Sequence, residues 1–136
     1  METKNIMIVG VGGQGTLLTS RILGGITTMA GYEVKLSEVH GMAQRGGSVV
    51  TFVRFGEEVC EPIVEEGQAD ILIAFERLEA LRYAHFLKKD GVIVVNDHRI
   101  DPITVVTGAA QYPDNIIENL EKEHKVLKVK AMEEAL

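Results

Sequence analysis

Apolar residues along the chain fall either in short continuous runs or at helical spacing, and this predicts both strands and helices. Residues 5–9 form an apolar run that ends at a glycine, which is typical of a strand buried on both faces. Residues 15–30 carry apolar side chains at helical spacing, and Gly31 stands where a helix commonly ends. That spacing is formed by Leu18, Ile22, Ile26 and Met29. Residues 32–37 predict a second strand, parallel to the first and reached by a right-handed crossover.

The pattern changes in the middle of the chain. Residues 48–55 and 59–64 are two extended runs separated by a turn that contains Gly56, which predicts an antiparallel hairpin. Pro62 lies in the second run and favours an edge position, because proline has no amide hydrogen for the sheet. We therefore expect one edge of the sheet to be antiparallel.

The second half predicts further alternation of strands and helices. Strands are expected at 70–75, 92–95 and 126–129, a helix at 76–89 that ends at Gly91, a helix at 115–123, and the first turns of another helix at 131–136. This order predicts an α/β fold: an open, Rossmann-like domain of three layers, with a mostly parallel sheet and an antiparallel hairpin at one edge. Residues 1–136 contain no repeat or linker, so we expect a single domain.

Charge and cysteine content exclude several classes of function. The net charge of −6, with no local cluster of lysine or arginine, argues against binding to nucleic acid or to an anionic membrane. Cys60 is the only cysteine, so the 136 residues hold neither an internal disulfide nor a cysteine-ligated cluster. We interpreted Cys60 as a small core residue within a strand. No signal peptide or membrane-length apolar run is found, which predicts a soluble, cytoplasmic protein.

The first glycine-rich loop follows the first strand. Gly10, Gly12 and Gly15 satisfy the G-x-G-x-x-G pattern between a strand and a helix, where a helix N-terminus offers amide hydrogens to an anion. A tight turn without any ligand is the alternative, because folds of this type need small residues there. No lysine precedes Thr16, as a nucleoside-triphosphate loop would require, and Glu38 is not followed by the second crossover helix of a dinucleotide dehydrogenase.

The second glycine-rich loop, between 40 and 48, combines flexible backbone with hydrogen-bond donors. Arg45 can bind a phosphate or carboxylate through two hydrogen bonds, or it can pair with a nearby acidic residue. His40, as a lone histidine, is interpreted as a hydrogen-bonded loop residue in preference to a proton carrier or a partner contact. Because both loops leave neighbouring strands, we expect one composite surface for a ligand or a partner.

Polar residues also follow the later strands. Glu76 and the run Asn96, Asp97 and His98 stand at carboxyl ends of strands, where open α/β sheets bind ligands. Glu76 equally fits a first-turn helix residue that the helix dipole favours. These residues show no metal-ligand spacing, so no metal ligand and no catalytic residue is assigned.

Three segments together resemble a known family. The stretches GVGGQGTLLTSRIL, VHGMAQRGGSVVTFVRFG and ADILIAFERLEALR, at their observed spacing, are similar to the small (gamma-type) subunits of 2-oxoacid:ferredoxin oxidoreductases. Within that family the resemblance is to the beta subunit of indolepyruvate enzymes. It runs from about residue 5 to beyond residue 97. Family members usually continue with another helical segment, so residues 1–136 are expected to form the gamma-type domain without that segment.

The resemblance implies a reaction and a division of labour. Such enzymes decarboxylate a 2-oxoacid oxidatively, here an arylpyruvate, to an acyl-coenzyme A, with reduction of ferredoxin. Thiamine diphosphate, magnesium and iron–sulfur clusters are expected on a large alpha subunit, which also meets the ferredoxin. This chain is expected to complete the active-site cleft and to bind part of coenzyme A, without activity of its own. An exposed partner face would favour self-association of the isolated chain.

On this resemblance we expect the coenzyme A contacts in the two glycine-rich loops. The first loop is expected to receive a phosphate of coenzyme A, and the second to face the cofactor or the alpha subunit. The expected contact residues are Gly10, Gly12, Gly13, Gln14, Gly15, Thr16, Gln44, Arg45, Gly46 and Gly47. Two alternatives stay open: a structural subunit whose loops only let a partner approach, and an independent Rossmann-like protein that binds a nucleotide.

Overall fold

The computed structural model describes residues 3–12, 15–40 and 47–130. Six strands, four α-helices and one 3-10 helix occur in this part of the chain. In chain order they are β1 (Lys4–Val11), α1 (Thr16–Met29), β2 (Glu33–His40), β3 (Ser48–Gly56), β4 (Ala69–Ala74), α2 (Arg77–Tyr83), the 3-10 helix (Ala84–Phe86), β5 (Leu87–Asn96), α3 (Ile103–Val106), α4 (Ile116–Glu123) and β6 (Lys125–Val129). The helix expected at 131–136 lies outside the described residues.

The six strands form one open sheet in the order β2-β3-β1-β4-β5-β6. β1, β4, β5 and β6 run parallel to one another, whereas β3 runs antiparallel to both β1 and β2. The predicted fold class is thus confirmed, with an antiparallel pair at one edge. β1 and β2 do run in the same direction, but β3 is inserted between them.

The prediction that residues 59–64 form the second strand of the hairpin is wrong. Residues 59–64 form no strand, and the antiparallel edge pair is made by β2 and β3 instead. The Arg54 guanidinium donates hydrogen bonds to the carbonyls of Glu61 and Ile63, at 2.7 and 3.2 Å. Val64 is buried and anchors the segment. The backbone is therefore held by a side chain instead of by a sheet ladder, and this reason was not visible in the apolar pattern.

Two further details differ from the prediction. The helix expected at 76–89 ends at Tyr83, and β5 already begins at Leu87, so Gly91 lies inside a strand. A Cβ at Gly91 would lie 2.7 Å from Leu87 Cδ2 and 3.0 Å from the Ala69 carbonyl oxygen. Glycine is thus needed for close packing where the register between β4 and β5 shifts, and not for a helix end. Cys60 is exposed, contrary to the expected core position.

The two faces of the sheet carry cores of different size. On one face, α2 and α4 cover the larger core, which includes Met7, Leu72, Ile93, Ile117 and Leu120. The other face carries a small cluster of Ile6, Ile8 and Val53, with partly buried neighbours that include Leu23 of α1. Helices on both faces confirm the expected three layers.

Helix α1 packs on the sheet through small residues. Its buried positions are Thr16, Ser20 and Gly24, and a Cβ at Gly24 would lie 3.4 Å from a Leu36 methyl group. The apolar residues that predicted the helix lie on its outer side. They are exposed by between 53% and 89%, and comprise Leu18, Ile22, Ile26 and Met29. No helix in the described part of the chain is long and apolar enough to cross a membrane.

Candidate functional site

The two glycine-rich loops meet at one edge of the sheet. Val11, at the end of β1, pairs with Ser48, at the start of β3. The next residue, Gly12, donates its amide hydrogen to the carbonyl of Gly47 at 3.2 Å. The described ends of both loops therefore lie side by side at the carboxyl end of β1. This position is where open α/β sheets commonly bind ligands.

The start of α1 is suited to receive an anion. Gly15 has φ 90° and ψ 18°, a left-handed conformation that favours glycine, and it directly precedes the helix. Among the described residues no side chain caps this helix end, and its first turn contains no acidic residue. The first amide hydrogens of a helix and its dipole together attract negative charge. Thr16, the first helical residue, is buried.

The described surroundings of position 12 do not require a glycine there. A Cβ there would meet only a Val49 methyl group, at 4.0 Å, which is an ordinary contact. Its φ is not in the left-handed region either. A small residue at this position thus leaves the backbone open to approach from outside, whereas Gly10 lies within β1 and is buried. The other predicted contact residues, namely Gly13, Gln14, Gln44, Arg45 and Gly46, lie outside the described residues.

Glu76 joins three segments at the carboxyl end of β4. Its side chain is almost completely buried, and Oε1 accepts a hydrogen bond from the Glu79 amide at 3.0 Å, which caps α2. Oε2 accepts from the Tyr112 hydroxyl at 2.5 Å and from the Ile100 amide at 3.0 Å. Of the two interpretations of Glu76, the helix-start role fits, and the residue also fixes the loop after β5.

Tyr112 completes this network, and the sequence analysis missed it because no motif surrounds it. Its hydroxyl accepts a hydrogen bond from the Leu78 amide at 3.2 Å while it donates to Glu76. Burial, and then the hydrogen bond to Glu76, raise the pKa of Tyr112 well above its usual value. The phenol therefore stays protonated at physiological pH. The Arg99 guanidinium lies over its ring, 4.3 Å from the centroid.

The polar run after β5 is engaged within the fold. Asp97 pairs with Arg77 at 2.5 Å, and the Asn96 side-chain amide donates to the Phe75 carbonyl at 3.2 Å. The backbone carbonyl of His98 accepts from the Arg77 amide at 3.0 Å. Among the described residues, no group of three or more histidine, cysteine, aspartate or glutamate side chains is arranged to hold a metal ion.

Glu79 is the second residue that sequence reasoning missed. Its helical position suggested nothing unusual, yet only 4% of it is exposed. Its Oε1 lies 3.4 Å from Arg82 Nη1, which in turn donates to the Ser48 hydroxyl at 3.0 Å. Burial raises the pKa of Glu79, against the opposing effects of Ser48 and Arg82, and the charge of Glu76 adds to the rise.

Comparison with known proteins agrees with this fold. Residues 5–136 match the family model described as pyruvate ferredoxin/flavodoxin oxidoreductase. Indolepyruvate oxidoreductase subunit IorB of Thermococcus kodakarensis is 50% identical over 113 residues, which are 83% of this chain and 56% of that protein. The IorB subunit of Archaeoglobus fulgidus is 51% identical over 120 residues, 87% of this chain and 59% of that protein. The chain thus spans little more than half the length of these relatives.

Solved structures share the fold at low sequence identity. The pyruvate oxidoreductase subunit PORC of Thermotoga maritima superposes with a TM-score of 0.69 at 21% identity, over 100% of this chain and 66% of that one. A 2-oxoglutarate:ferredoxin oxidoreductase of Magnetococcus marinus, described with 2-oxoglutarate, coenzyme A and succinyl-CoA bound, gives 0.69 at 16% identity. That match covers 99% of this chain and 21% of the other.

Proposed function

The chain belongs to the pyruvate ferredoxin/flavodoxin oxidoreductase family, and we propose that it serves as the small subunit of a 2-oxoacid:ferredoxin oxidoreductase. The proposed substrate class is indolepyruvate or another arylpyruvate. This choice is supported by four IorB relatives at 42–51% identity, which are named as subunits of indolepyruvate oxidoreductases.

We propose that the redox and carbanion chemistry belongs to a larger partner subunit. Thiamine diphosphate stabilises carbanions and iron–sulfur clusters carry single electrons, so together they supply the oxidative decarboxylation. A chain with one cysteine cannot ligate such a cluster alone. Its own contribution is to close the active-site cleft and to hold part of coenzyme A. A cytoplasmic location is part of this proposal.

The observation that carries the coenzyme A proposal is the meeting of the two loops beside an uncapped helix. Gly12 and Gly47 are hydrogen-bonded to each other, and α1 begins at Thr16 without a cap from any described side chain and without an acidic residue in its first turn. A phosphate group of coenzyme A placed here receives helix amide hydrogens and the favourable end of the dipole. Gln44, Arg45 and Gly46 are proposed to face the cofactor or the larger subunit from the second loop.

A second, narrower candidate is a subunit that only mediates assembly. The observation that favours it is the exposed apolar stripe of α1, formed by Leu18, Ile22, Ile26 and Met29. Gly25 lies among these residues, and nothing stands within 4 Å of a Cβ placed there, so another helix can approach closely. We assign this stripe to the larger subunit, since the relatives are themselves named as subunits. Both candidates share this surface and differ only in coenzyme A contact.

Coenzyme A kinetics of the reconstituted enzyme separate the two candidates. Replacing Arg45 by Ala is expected to raise the KM for coenzyme A by about tenfold or more, because hydrogen bonds to charged groups contribute roughly 1.5–3 kcal/mol. Lys122→Ala, an exposed change on α4, is the matched control and should leave this KM unchanged. If Arg45→Ala also leaves it unchanged, Arg45 is not a coenzyme A contact. Stabilisation of the isolated chain by NAD, FAD or ATP in thermal unfolding would instead favour an independent nucleotide-binding protein.

A further inference from the structure

A cavity of about 200 Å³ lies between α2 and α3, at the carboxyl edge of the sheet. It begins beside Val11, the last residue of β1, and so adjoins the first glycine-rich loop. Most of its wall is apolar and comes from Leu78, Pro102, Ile103 and Val106. Ile103 and Val106 are exposed by 67% and 69%, although both are apolar. Two such side chains beside a cavity favour contact with an apolar group.

The cavity also contains a buried acceptor with an unused oxygen. Glu79 lines it, and the Oε2 atom of Glu79 is buried without a hydrogen-bond partner among the described residues. Buried polar atoms in native proteins almost always have a partner, so an exception indicates a missing group. Because Oε2 makes no hydrogen bond and the terminal torsion of glutamate is broad, the carboxyl can turn toward the cavity without breaking one at that atom.

The surrounding charges select the kind of group that fits. The carboxyl groups that line the cavity are already engaged: Arg82 lies 3.4 Å from the other Glu79 oxygen, and Arg99 pairs with Asp101. Both oxygens of Glu76 accept hydrogen bonds, so a further cation gains little there. An anion would face the carboxyl groups of Glu76, Glu79 and Asp101, which all line the cavity. An uncharged donor, either an amide N–H or a hydroxyl, can donate a hydrogen bond to Oε2 without placing a second positive charge beside Arg82 or a negative charge beside the carboxyl groups.

We propose that this cavity is a binding subsite for an uncharged, largely apolar group that donates one hydrogen bond to Glu79. The site goes beyond the phosphate contacts proposed above, since none of the described residues proposed for those contacts lines the cavity. It is linked to them, however: Arg82, beside Glu79, donates to the hydroxyl of Ser48, directly after the second loop. An occupant of the cavity therefore contacts the residues that hold the exit of this loop.

Two sources could supply this chemistry, and two probes distinguish them. Pantetheine carries amides and hydroxyls without any phosphate, and indole carries one N–H on an apolar ring. Each is titrated into the full chain while the methyl signals of Leu78, Ile103 and Val106 are followed by NMR. Binding of pantetheine assigns the site to an amide-bearing arm such as that of coenzyme A, and binding of indole alone assigns it to a separate aromatic ligand. Neither probe requires the helix α1 site, so failure here leaves the proposed function intact.

Variants at Glu79 test the role of the carboxyl. Glu79→Gln keeps an acceptor oxygen and should leave the dissociation constant within about threefold, whereas Glu79→Leu removes it and should weaken binding about tenfold or more. Glu121→Gln, an exposed change on α4, is the control. Val106→Trp, at an exposed position, should block the cavity without depending on Glu79. Unshifted methyl signals with both probes at millimolar concentration, or equal binding by Glu79→Leu, would overturn the proposal.

Discussion

The two faces of the sheet use their apolar residues in opposite ways. On the face covered by α2 and α4, strand residues such as Leu72 and helix residues such as Leu120 close one continuous core. On the other face, α1 packs through Ser20 and Gly24 and directs its apolar stripe outward. The first face carries the larger core. The second leaves an apolar surface that no described part of the chain covers, as expected of a subunit.

The largest expected effect contrasts a core residue with a residue of the stripe. Leu72→Ala removes a fully buried side chain of β4 and should lower the free energy of unfolding by about 2–5 kcal/mol. Ile22→Ala, in the exposed stripe, should cost less than about 0.5 kcal/mol, apart from any change in helix propensity. Urea denaturation of the two variants measures both values. Equal losses would show that α1 is buried in the free protein and would remove the contrast between the faces.

A somewhat smaller effect is expected when the buried hydrogen bond between Tyr112 and Glu76 is removed. Tyr112→Phe leaves Glu76 Oε2 with only the Ile100 amide as a donor, and should destabilise the protein by about 1–3 kcal/mol because the carboxylate stays buried. Tyr32→Phe is a matched control on the opposite face. A Tyr112→Phe protein as stable as the wild type in the same urea titration would rule out a structural role for this hydrogen bond.

The pH dependence of stability should depend on Glu79. Burial raises its pKa above the unfolded value of 4.5, so the ionised side chain costs free energy in the folded state at neutral pH. That cost is relieved as the pH falls through the raised pKa toward 4.5, where both states become protonated. The stability of Glu79→Gln relative to wild type should therefore be greatest at neutral pH and decline toward pH 4.5.

Urea titrations across this pH range, with Glu121→Gln as the exposed control, test the prediction. A gap between Glu79→Gln and wild type that stays constant with pH would show that Glu79 does not have a raised pKa.

The smallest effect on stability should accompany the largest effect on assembly. Replacing Leu18 and Ile22 together by Ser should change the unfolding free energy little, since both are more than half exposed. It should nevertheless weaken co-purification with the larger subunit, because an interface loses its apolar anchors. The control is Leu127→Ser, which replaces an exposed leucine of β6. Val126→Ser is not suitable, because Val126 packs on the core. Undiminished co-purification of the double variant would place the partner elsewhere.

Local sequence patterns predicted most strands and helices well, but not which strands lie next to each other in the sheet. The apolar runs located β1, β3 and β4, and Gly31, which stands where the first helix was expected to end, does adopt a left-handed conformation. The prediction of a strand at 59–64 failed because the Arg54 side chain, and not a neighbouring strand, binds the carbonyls of this segment. The spacing of Leu18 and Ile22 identified a helix, yet spacing alone does not say which side of a helix meets the sheet.

The candidate site was predictable only where glycine patterns mark it. The adjacency of Gly12 and Gly47 follows from the two strands that precede and follow them, although the sequence did not show that β1 and β3 pair directly. Glu79 and Tyr112 gave no signal, because their importance arises from burial between α2 and segments distant in sequence. The coenzyme A roles of Gln44 and Arg45 stay predictions.

Reconstitution of activity tests the central claim most directly. The larger subunit is assayed for viologen reduction with indolepyruvate and coenzyme A, with and without this chain and with a version extended to the full length of its relatives. We predict that reduction depends on adding the small subunit, in one or both of these lengths. A rate that neither version changes would contradict its role as a subunit of a 2-oxoacid oxidoreductase.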